Sequence, residues 1–311
     1  MELRNHLKHV ISRAAGFVAR HGEQAARDTR DVDICLSALC TPESLAKTRF
    51  PVDYVEFLRT CIEHVNCTVR EVKTWDGADN TAERFTTLLQ VLRSSVPPIA
   101  FSVGSEIGLI ADRYRALFQP FQFEGWAGDI GLHFQLSSSL GWKGRILSTI
   151  IRFAGSKQCL ELGTAYGMSA IFILEALRAS GREGHLITLE GSAAQYSLAS
   201  EMLKARYSDL VSCHFGNTQD ALPHLVKEAA IDFMFHDAGH SREDYLRDFS
   251  AMKNKLAPGA VVLIDDIRWE DLKMTQGRAM HCYEGWMEIC ADPKVRYAAE
   301  VDNKMGLLLL Q

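Results

Sequence analysis

Closely spaced cysteine pairs are absent from this sequence. None of its eight cysteines forms the C-x-x-C spacing that is typical of zinc sites and of redox-active thiols. The eight are Cys35, Cys40, Cys61, Cys67, Cys159, Cys213, Cys282 and Cys290. We therefore expect buried free thiols, with the reducing cytoplasm as the location of the protein.

Long apolar runs and basic clusters are also missing. Polar residues interrupt residues 1–20 repeatedly, so this segment lacks the continuous apolar stretch of a signal peptide or a membrane span. Lysine and arginine are scattered and the formal net charge is −5, so neither nucleic acid nor a membrane is an expected partner. The 311 residues are 47% hydrophobic and 23% charged, a composition typical of a soluble globular protein with its own core.

The N-terminal part of the chain shows helical patterns and no motif that indicates chemistry. Apolar residues recur at three- and four-residue spacing and predict four helices, over residues 2–30, 52–65, 80–93 and 104–118. Asn80 and Glu83 form a capping-box pattern at the start of the third helix. Residues 119–142, rich in aromatics, glycine and serine, are interpreted as a linker and lid. We predict a helical region at 1–130 that serves as a lid, as a dimer interface, or both, and hence a homo-oligomer.

The pattern changes in the predicted second domain, residues 131–311. Here short apolar runs alternate with helical stretches, the order expected of a parallel sheet built from strand-helix-strand units. These runs predict five strands, over residues 159–162, 185–190, 210–215, 231–236 and 260–265. Two more strands, 296–301 and 306–310, are separated by a connection short enough only for an antiparallel hairpin. The predicted fold class is α/β: a Rossmann-like seven-stranded sheet with an antiparallel last strand, preceded by a mainly helical N-terminal region.

A glycine turn follows the first of these strands and suits a nucleotide-like ligand. Gly163 and Gly167 allow the backbone to approach a ligand closely, and the next helix offers unpaired N–H groups to an anionic end. The spacing differs from the G-x-G-x-x-G pattern of dinucleotide sites. The second strand ends at Glu190, at the distance where a carboxylate meets ribose hydroxyls. The alternative interpretation is an ordinary strand-helix turn beside a solvated glutamate.

Segments 160–170 and Glu190 resemble the cofactor motifs of class I S-adenosylmethionine-dependent methyltransferases. The segment Gly216–Asp220, followed by Leu222-Pro223, resembles the adenine-contacting loop of catechol O-methyltransferase. Residues 143–152 resemble the helix that opens the domain of that family. The resemblance covers residues 137–311, a little over half of the chain, and implies a methyltransferase sheet.

Carried over residue by residue, the resemblance implies a binding site for S-adenosylmethionine. Ser169 would hold its methionine carboxylate, Glu190 its ribose, and Thr218 with Gln219 its adenine edge. For Gln219 the alternative is an ordinary polar residue in a surface loop. The full set of implied cofactor-binding residues is Ser139, Glu161, Gly163, Thr164, Gly167, Ser169, Glu190, Gly191, Asn217, Thr218, Gln219 and Asp237.

Three aspartates follow two further strands and predict a metal site. Asp237 follows the fourth strand, and Asp265 with Asp266 follows the fifth. Because parallel strands open their carboxyl ends onto one crevice, the three carboxylates would repel one another unless a hard divalent cation such as Mg²⁺ lay between them. The trio resembles the metal ligands of catechol-, caffeoyl-coenzyme-A- and macrolide-sugar-type O-methyltransferases, and its Asp-Asp pair resembles the sugar-methylating form. The alternative is that these aspartates cap helices or loops and that no metal is needed.

His240 lies three residues after Asp237, where catechol-type enzymes have a lysine base, and it is predicted as the catalytic base. Asp237 or a metal-bound water would be the alternative proton acceptor. The sequence thus predicts an S-adenosylmethionine-dependent O-methyltransferase that uses a divalent metal and acts on a hydroxyl of a small molecule, phenolic or a sugar-type natural product. Two alternatives remain: a metal-independent O- or N-methyltransferase with His240 as base, and a non-catalytic cofactor-binding scaffold.

Overall fold

The computed structural model describes residues 68–74, 80–93, 121–123, 126–128, 142–181, 183–226, 229–271 and 280–311. The helices predicted over 2–30, 52–65 and 104–118 lie outside these residues, as do Ser139 and most of the predicted lid.

The described residues form ten strands and seven α-helices. The strands are β1 (Val69–Lys73), β2 (Phe121–Phe123), β3 (Trp126–Gly128), β4 (Gln158–Leu162), β5 (His185–Glu190), β6 (Val211–Phe215), β7 (Ile231–His236), β8 (Leu256–Ile264), β9 (Val295–Val301) and β10 (Met305–Leu310). The helices are α1 (Asn80–Arg93), α2 (Trp142–Ala154), α3 (Met168–Ala179), α4 (Ala193–Tyr207), α5 (Thr218–Leu225), α6 (Arg242–Met252) and α7 (Cys282–Ala291). A short 3₁₀ helix covers Trp269–Asp271.

The main sheet has a parallel centre. Strands β8, β7, β4, β5 and β6 lie side by side in this order and are all parallel. Most residues of β4, β7 and β8 are buried, as expected of central parallel strands with both faces covered. The five predicted parallel strands are confirmed, although β8 begins at Leu256, four residues before the predicted start, because Pro258 and Gly259 interrupt its apolar run.

The other edge of the sheet is antiparallel. Strand β10 pairs antiparallel with β8 on one side and with β9 on the other, as the predicted hairpin requires. Asp302 and Asn303 both have positive φ (54° and 53°), the conformation that a tight hairpin turn needs. Asp302 Oδ1 also accepts hydrogen bonds from the backbone N–H (2.6 Å) and the hydroxyl (2.9 Å) of Thr68, which fastens the start of β1.

The prediction of seven strands was one strand short. Strand β1 pairs antiparallel with β9, so the main sheet has eight strands. The sequence pattern did not reveal it because an edge strand carries few apolar residues, and here only Val69 and Val72 qualify. Strand β1 thus lies within the region predicted to be mainly helical, and β1 and α1 belong to the compact unit that contains the main sheet.

Helix α1 covers the predicted residues 80–93. The predicted lid contains a separate two-stranded antiparallel sheet, formed by β2 and β3. No helix among the described residues is both long and apolar enough to cross a membrane.

Serine and asparagine caps set where three helices of the sheet domain begin. The Ser192 hydroxyl accepts a hydrogen bond from Gln195 N–H at α4, and Asn217 Oδ1 accepts one from Asp220 N–H at α5. Ser241 accepts one from Asp244 N–H at the start of α6. These caps stop the loops after β5, β6 and β7 within a few residues of the strand ends. The residues in those loops are therefore held at the carboxyl edge of the sheet.

Candidate active site

The loops after β4, β5 and β7 meet at the carboxyl edge of the sheet. Gly163 has φ +91° and its N–H donates a hydrogen bond to the Leu189 carbonyl (2.9 Å). The N–H of Asp237 donates to the Leu162 carbonyl (2.8 Å). A Cβ at position 163 would overlap the backbone carbonyl of Asp237, so only glycine allows this approach. The glycine turn and the residue predicted to bind metal are thus direct neighbours.

Glu190 lies against the glycine turn. Its Oε2 accepts a hydrogen bond from Ala165 N–H (2.7 Å) and its Oε1 accepts one from Ser192 N–H (2.6 Å). Burial raises the pKa of this carboxyl, and the N–H groups of Ser192 and Ala165 partly offset the rise. The solvated glutamate of the alternative interpretation is excluded, because Glu190 is buried and bound to the turn.

A second carboxylate, Glu161, is buried beneath the turn. Its Oε2 accepts a hydrogen bond from the Thr188 hydroxyl (2.5 Å), and Thr188 is also hydrogen-bonded to the Thr164 hydroxyl. Burial raises the pKa of Glu161 to about 8, partly offset by the nearby hydroxyls of Ser169 and Thr188. Its other oxygen, Oε1, is shielded from solvent and has no hydrogen-bond partner among the residues described. A buried carboxylate oxygen of this kind suits a ligand that carries a hydrogen-bond donor, such as an ammonium group.

The loop after β6 lies next to the loop after β5. Gly216 N–H donates to the Glu190 carbonyl (3.0 Å), which joins the predicted adenine loop to the residue predicted to bind ribose. Asn217 is occupied as the cap of α5, and the Thr218 hydroxyl accepts a hydrogen bond from Arg247 Nη2 (3.0 Å). Gln219 is exposed in the first turn of α5. Of the predicted cofactor residues, Ser139 alone lies outside the described part of the chain.

The loops after β7 and β8 bring two of the three predicted metal ligands together with His240. His240 Nε2 lies 3.4 Å from Asp237 Oδ1 and 3.4 Å from Asp266 Oδ2. One potential ligand atom from each of these three residues falls within 4.8 Å of the others. Asp265 is not a member of this group. It is buried, and its Oδ1 accepts a hydrogen bond from Asp266 N–H (2.9 Å).

The His240 ring is held in place between the carboxylates and Trp269. The two rings are stacked, with centroids 4.9 Å apart and planes inclined by 26°. Burial lowers the pKa of His240, but the adjacent Asp237 and Asp266 carboxylates outweigh this and raise it to about 10. Without a cation between the carboxylates, the imidazole is therefore protonated at neutral pH. A protonated imidazole cannot accept a proton from a substrate.

A family model described as a methyltransferase domain matches residues 160–267. The catechol O-methyltransferase of Niastella koreensis is 31% identical over 128 residues, which cover 40% of this chain and 56% of that protein. The catechol O-methyltransferase of Sus scrofa is 30% identical over 131 residues, which cover 40% of this chain and 68% of that protein. The chain belongs to the class I S-adenosylmethionine-dependent O-methyltransferases. It spans little more than half the length of the first of these relatives.

Solved structures share the fold of this O-methyltransferase. The methyltransferase PaMTH1 of Podospora anserina, bound to S-adenosylhomocysteine, has a TM-score of 0.53 at 17% identity and covers 77% of this chain and 99% of that one. The O-methyltransferase TomG of Streptomyces achromogenes, in complex with S-adenosylmethionine, has a TM-score of 0.51 at 20% identity, covering 73% and 96%. The predicted Rossmann-like methyltransferase sheet with an antiparallel last strand is confirmed.

Helix α6 of this O-methyltransferase supports both halves of the site through residues that the sequence analysis missed. The Tyr245 hydroxyl donates to the carbonyls of Asp265 and Asp266, at 2.8 and 3.1 Å. Asp248 Oδ2 is hydrogen-bonded to His236 Nε2 (3.0 Å), and its Oδ1 accepts a hydrogen bond from Arg247 Nε (2.9 Å). Since Arg247 also bonds Thr218, one helix braces the loops after β6, β7 and β8.

A sequence signal for part of this network was present. Tyr245, Asp248, Phe249 and Met252 recur at the spacing of one buried helix face, and all four are buried. A charged residue in an otherwise apolar face indicates a buried partner, and for Asp248 the partner is His236. His236 is itself buried at the end of β7.

Proposed function

We propose that this O-methyltransferase transfers the methyl group of S-adenosylmethionine to a hydroxyl oxygen of a small molecule beside a divalent cation. One observation carries the proposal. The nucleoside-type elements, Glu190 and the glycine turn, lie at the same sheet edge as the group formed by Asp237, His240 and Asp266. The similarity to the catechol O-methyltransferases of Niastella koreensis and Sus scrofa supports a phenolic acceptor. A sugar-type natural product, favoured by the Asp-Asp pair, is the second class.

The described residues fit the donor molecule. Glu161 Oε1, buried and without a hydrogen-bond partner among the residues described, fits the ammonium of its methionine part. We assign the methionine carboxylate to Ser169 at the N-terminal turn of α3, where backbone N–H groups are unpaired. Glu190 would accept hydrogen bonds from the ribose hydroxyls, and Thr218 with Gln219 would contact the adenine.

The chain's own contribution to the reaction is position and charge. When bound, S-adenosylmethionine supplies an electrophilic methyl group, and the divalent cation supplies positive charge that lowers the pKa of the acceptor hydroxyl. Asp237 and Asp266 would hold that cation at the mouth of the nucleoside site, in reach of an oxygen aligned with the methyl group. Transfer breaks the sulfur–methyl bond and forms an oxygen–methyl bond. The hydroxyl proton passes to a side chain of the same group: Asp237 or, where the bound cation offsets the charge of the two carboxylates and leaves the imidazole neutral, His240.

The test is methyl transfer from labelled S-adenosylmethionine by the purified full-length chain. A panel of catechols, simple phenols and hydroxylated glycosides is assayed with EDTA and after Mg²⁺ or Mn²⁺ is added back. We expect turnover with at least one class, loss of turnover in EDTA, and recovery on adding the cation. Turnover that is unchanged by EDTA would favour the metal-independent methyltransferase. Donor binding without turnover on any acceptor would favour the scaffold.

Four further statements stay predictions. They are Asp265 as a third carboxylate ligand, the domain boundary near residue 130, the homo-oligomeric state and the cytoplasmic location.

A further inference from the structure

The place of His240 in this site calls for a role other than that of the lysine that the family resemblance puts there. A lysine ammonium is a donor only and cannot bind a cation, whereas a neutral imidazole nitrogen is a common metal ligand. We infer that His240 Nε2 is a ligand of the divalent cation, and that the site prefers transition-metal ions such as Mn²⁺, Fe²⁺ or Co²⁺ to Mg²⁺. The inference uses the cation site of the proposed function and names the chemistry of its metal.

The distances fit donor atoms arranged around one ion. Nε2 lies 3.4 Å from an oxygen of Asp237 and 3.4 Å from an oxygen of Asp266. Ligands about 2.1 Å from a common ion are roughly 3 to 3.4 Å apart, depending on whether its geometry is octahedral or tetrahedral. The nitrogen thus lies at the separation from both oxygens that coordination requires, and the three potential ligand atoms fall within 4.8 Å of one another.

Apart from the two carboxylate oxygens at 3.4 Å, His240 Nε2 has no hydrogen-bond partner among the described residues. Nε2 is shielded from solvent and forms no hydrogen bond of good geometry with any described residue, although both carboxylates are close. A buried polar atom of this kind is rare unless a ligand completes it. The stack on Trp269 keeps the ring plane directed at the carboxylates. The Sγ of Cys282 lies 3.2 Å from the His240 carbonyl oxygen, in position to donate to it, so the backbone is held as well.

The loop after β8 is held in a conformation that places the Asp266 carboxylate beside His240. Asp266 adopts φ +53°, a left-handed conformation that is uncommon for a residue with a side chain. The carbonyls of Asp265 and Asp266 accept hydrogen bonds from Tyr245, which fixes this turn. An energetically unfavourable backbone that is held this firmly, with its carboxylate beside a histidine, is consistent with a site built for a ligand.

The types of ligand atom determine which divalent cation the site prefers. Mg²⁺ binds oxygen ligands and keeps much of its water, whereas imidazole nitrogen favours Mn²⁺, Fe²⁺, Co²⁺ and Zn²⁺. Two carboxylates and one neutral imidazole balance the charge of a divalent cation and provide one nitrogen donor. A site of carboxylate and amide oxygens alone would have no such bias.

The experiment measures metal binding, so it needs no methyl acceptor. The full-length protein is stripped with chelator and titrated calorimetrically with Mg²⁺, Mn²⁺ and Co²⁺, and the visible absorption spectrum of the Co²⁺ form is recorded. His240→Ala and His240→Gln are compared with His224→Ala, which alters an exposed histidine on α5. Circular dichroism melting checks that each variant is folded, and the glutamine variant keeps a side chain against Trp269 if the alanine variant is unstable.

We expect the wild type to bind Mn²⁺ and Co²⁺ at least about tenfold more tightly than Mg²⁺. Both His240 variants should lose about tenfold or more in Mn²⁺ and Co²⁺ affinity, with a changed Co²⁺ spectrum and a much smaller change for Mg²⁺. His224→Ala should match the wild type. Unchanged affinities and an unchanged spectrum in the His240 variants, with methyl transfer lost, would overturn the inference and restore His240 as base. Tighter binding of every cation, Mg²⁺ included, would also overturn it, since His240 would then be a competing positive charge.

These outcomes separate the inference from the proposed function. A histidine-dependent metal preference in a protein that transfers no methyl group would contradict the proposed function alone. Methyl transfer that EDTA abolishes, together with metal affinities that do not depend on His240, would contradict the inference alone.

Discussion

The hydroxyl of Tyr245 donates a hydrogen bond to the backbone carbonyl of Asp265 at 2.8 Å, and a second, longer one reaches the carbonyl of Asp266. A buried residue of helix α6 thereby holds the turn that presents the Asp266 carboxylate to His240. Both hydrogen bonds of the Tyr245 hydroxyl go to backbone carbonyls, so Tyr245 acts on the site through the backbone of Asp265 and Asp266.

Replacing Tyr245 by phenylalanine tests this positioning role. The ring and its packing remain, but two buried carbonyls lose their donor, so we expect the free energy of unfolding to fall by about 1 to 2 kcal/mol. The affinity for Mn²⁺ should fall as well, because the turn at Asp266 loses its restraint. Urea unfolding and calorimetric titration measure the two effects. Tyr196→Phe serves as the control, since the Tyr196 hydroxyl makes only a long contact (3.4 Å) with the Cys213 carbonyl. A loss of stability without any change in metal affinity would show that Tyr245 is merely structural.

Replacing Glu190 by glutamine tests the nucleoside site. The amide retains one acceptor oxygen, so one of the bonds to Ala165 N–H and Ser192 N–H is lost together with the negative charge. We expect the affinity for S-adenosylhomocysteine to fall by about tenfold or more, which corresponds to at least about 1.4 kcal/mol. Calorimetric titration checks this, with Glu183→Gln, an exposed position, as the matched control. Equal affinities for S-adenosylhomocysteine in the two variants would show that Glu190 does not contribute to binding the nucleoside.

Glu161 makes stability depend on pH near neutrality. Burial raises its pKa to about 8 in the folded chain, well above the ordinary value of 4.5 that it has when unfolded. The folded state therefore holds a proton that the unfolded state has released, and this stabilisation is full below pH 4.5 and lost as the pH rises through about 8. In Glu161→Gln the decline of unfolding free energy between pH 5 and 8.5 should be smaller, by on the order of a few kcal/mol.

Urea unfolding at several pH values measures this slope, and Glu183→Gln should keep the wild-type slope. Binding of a ligand with an ammonium group at neutral pH should release a proton from Glu161, because the ammonium favours the charged carboxylate. Titrations with S-adenosylhomocysteine in buffers of different ionisation enthalpy would detect it. Identical slopes in Glu161→Gln and the wild type would contradict the prediction.

The pair of His236 and Asp248 is expected to contribute strongly to folding. Burial raises the pKa of Asp248, but the bonds from His236 and Arg247 outweigh it, so the net pKa is below the ordinary value. The stabilisation from Asp248 is thus present above pH 3.8 and lost as the pH falls through its lowered pKa. We expect Asp248→Asn to lose about 3 kcal/mol of unfolding free energy at pH 7, since it breaks a buried ion-paired network.

Asp244→Asn is the comparison, because Asp244 pairs with the same Arg247 but is partly exposed. Its loss should be about 1 kcal/mol or less. If the two variants were equally stable, burial would not be the factor that makes the Asp248 network strong.

Much of the fold was predictable because burial on both sides of a parallel strand leaves a continuous apolar run. Strands β7 and β8 carry such a run in their buried part, and the helix over 80–93 shows its apolar face and capping pattern. Strand β1 does not, because an edge strand half covered by the fold needs few apolar residues. The hydrogen bond between His236 and Asp248 was not predictable in the same way, since it forms only where the packing of α6 brings Asp248 to the end of β7.

What the sequence alone determined is the order of chemical groups at the strand ends: Glu190 after β5, Asp237 after β7, and Asp265 with Asp266 after β8. The topology of a parallel sheet carries such residues to one edge, and the structure brings Glu190 and the three-residue group there. Only the tertiary structure decided which of the neighbours faces the site. Consecutive residues at a strand end point in different directions, and the left-handed backbone of Asp266, held by Tyr245, leaves Asp265 buried and places the Asp266 carboxylate beside His240.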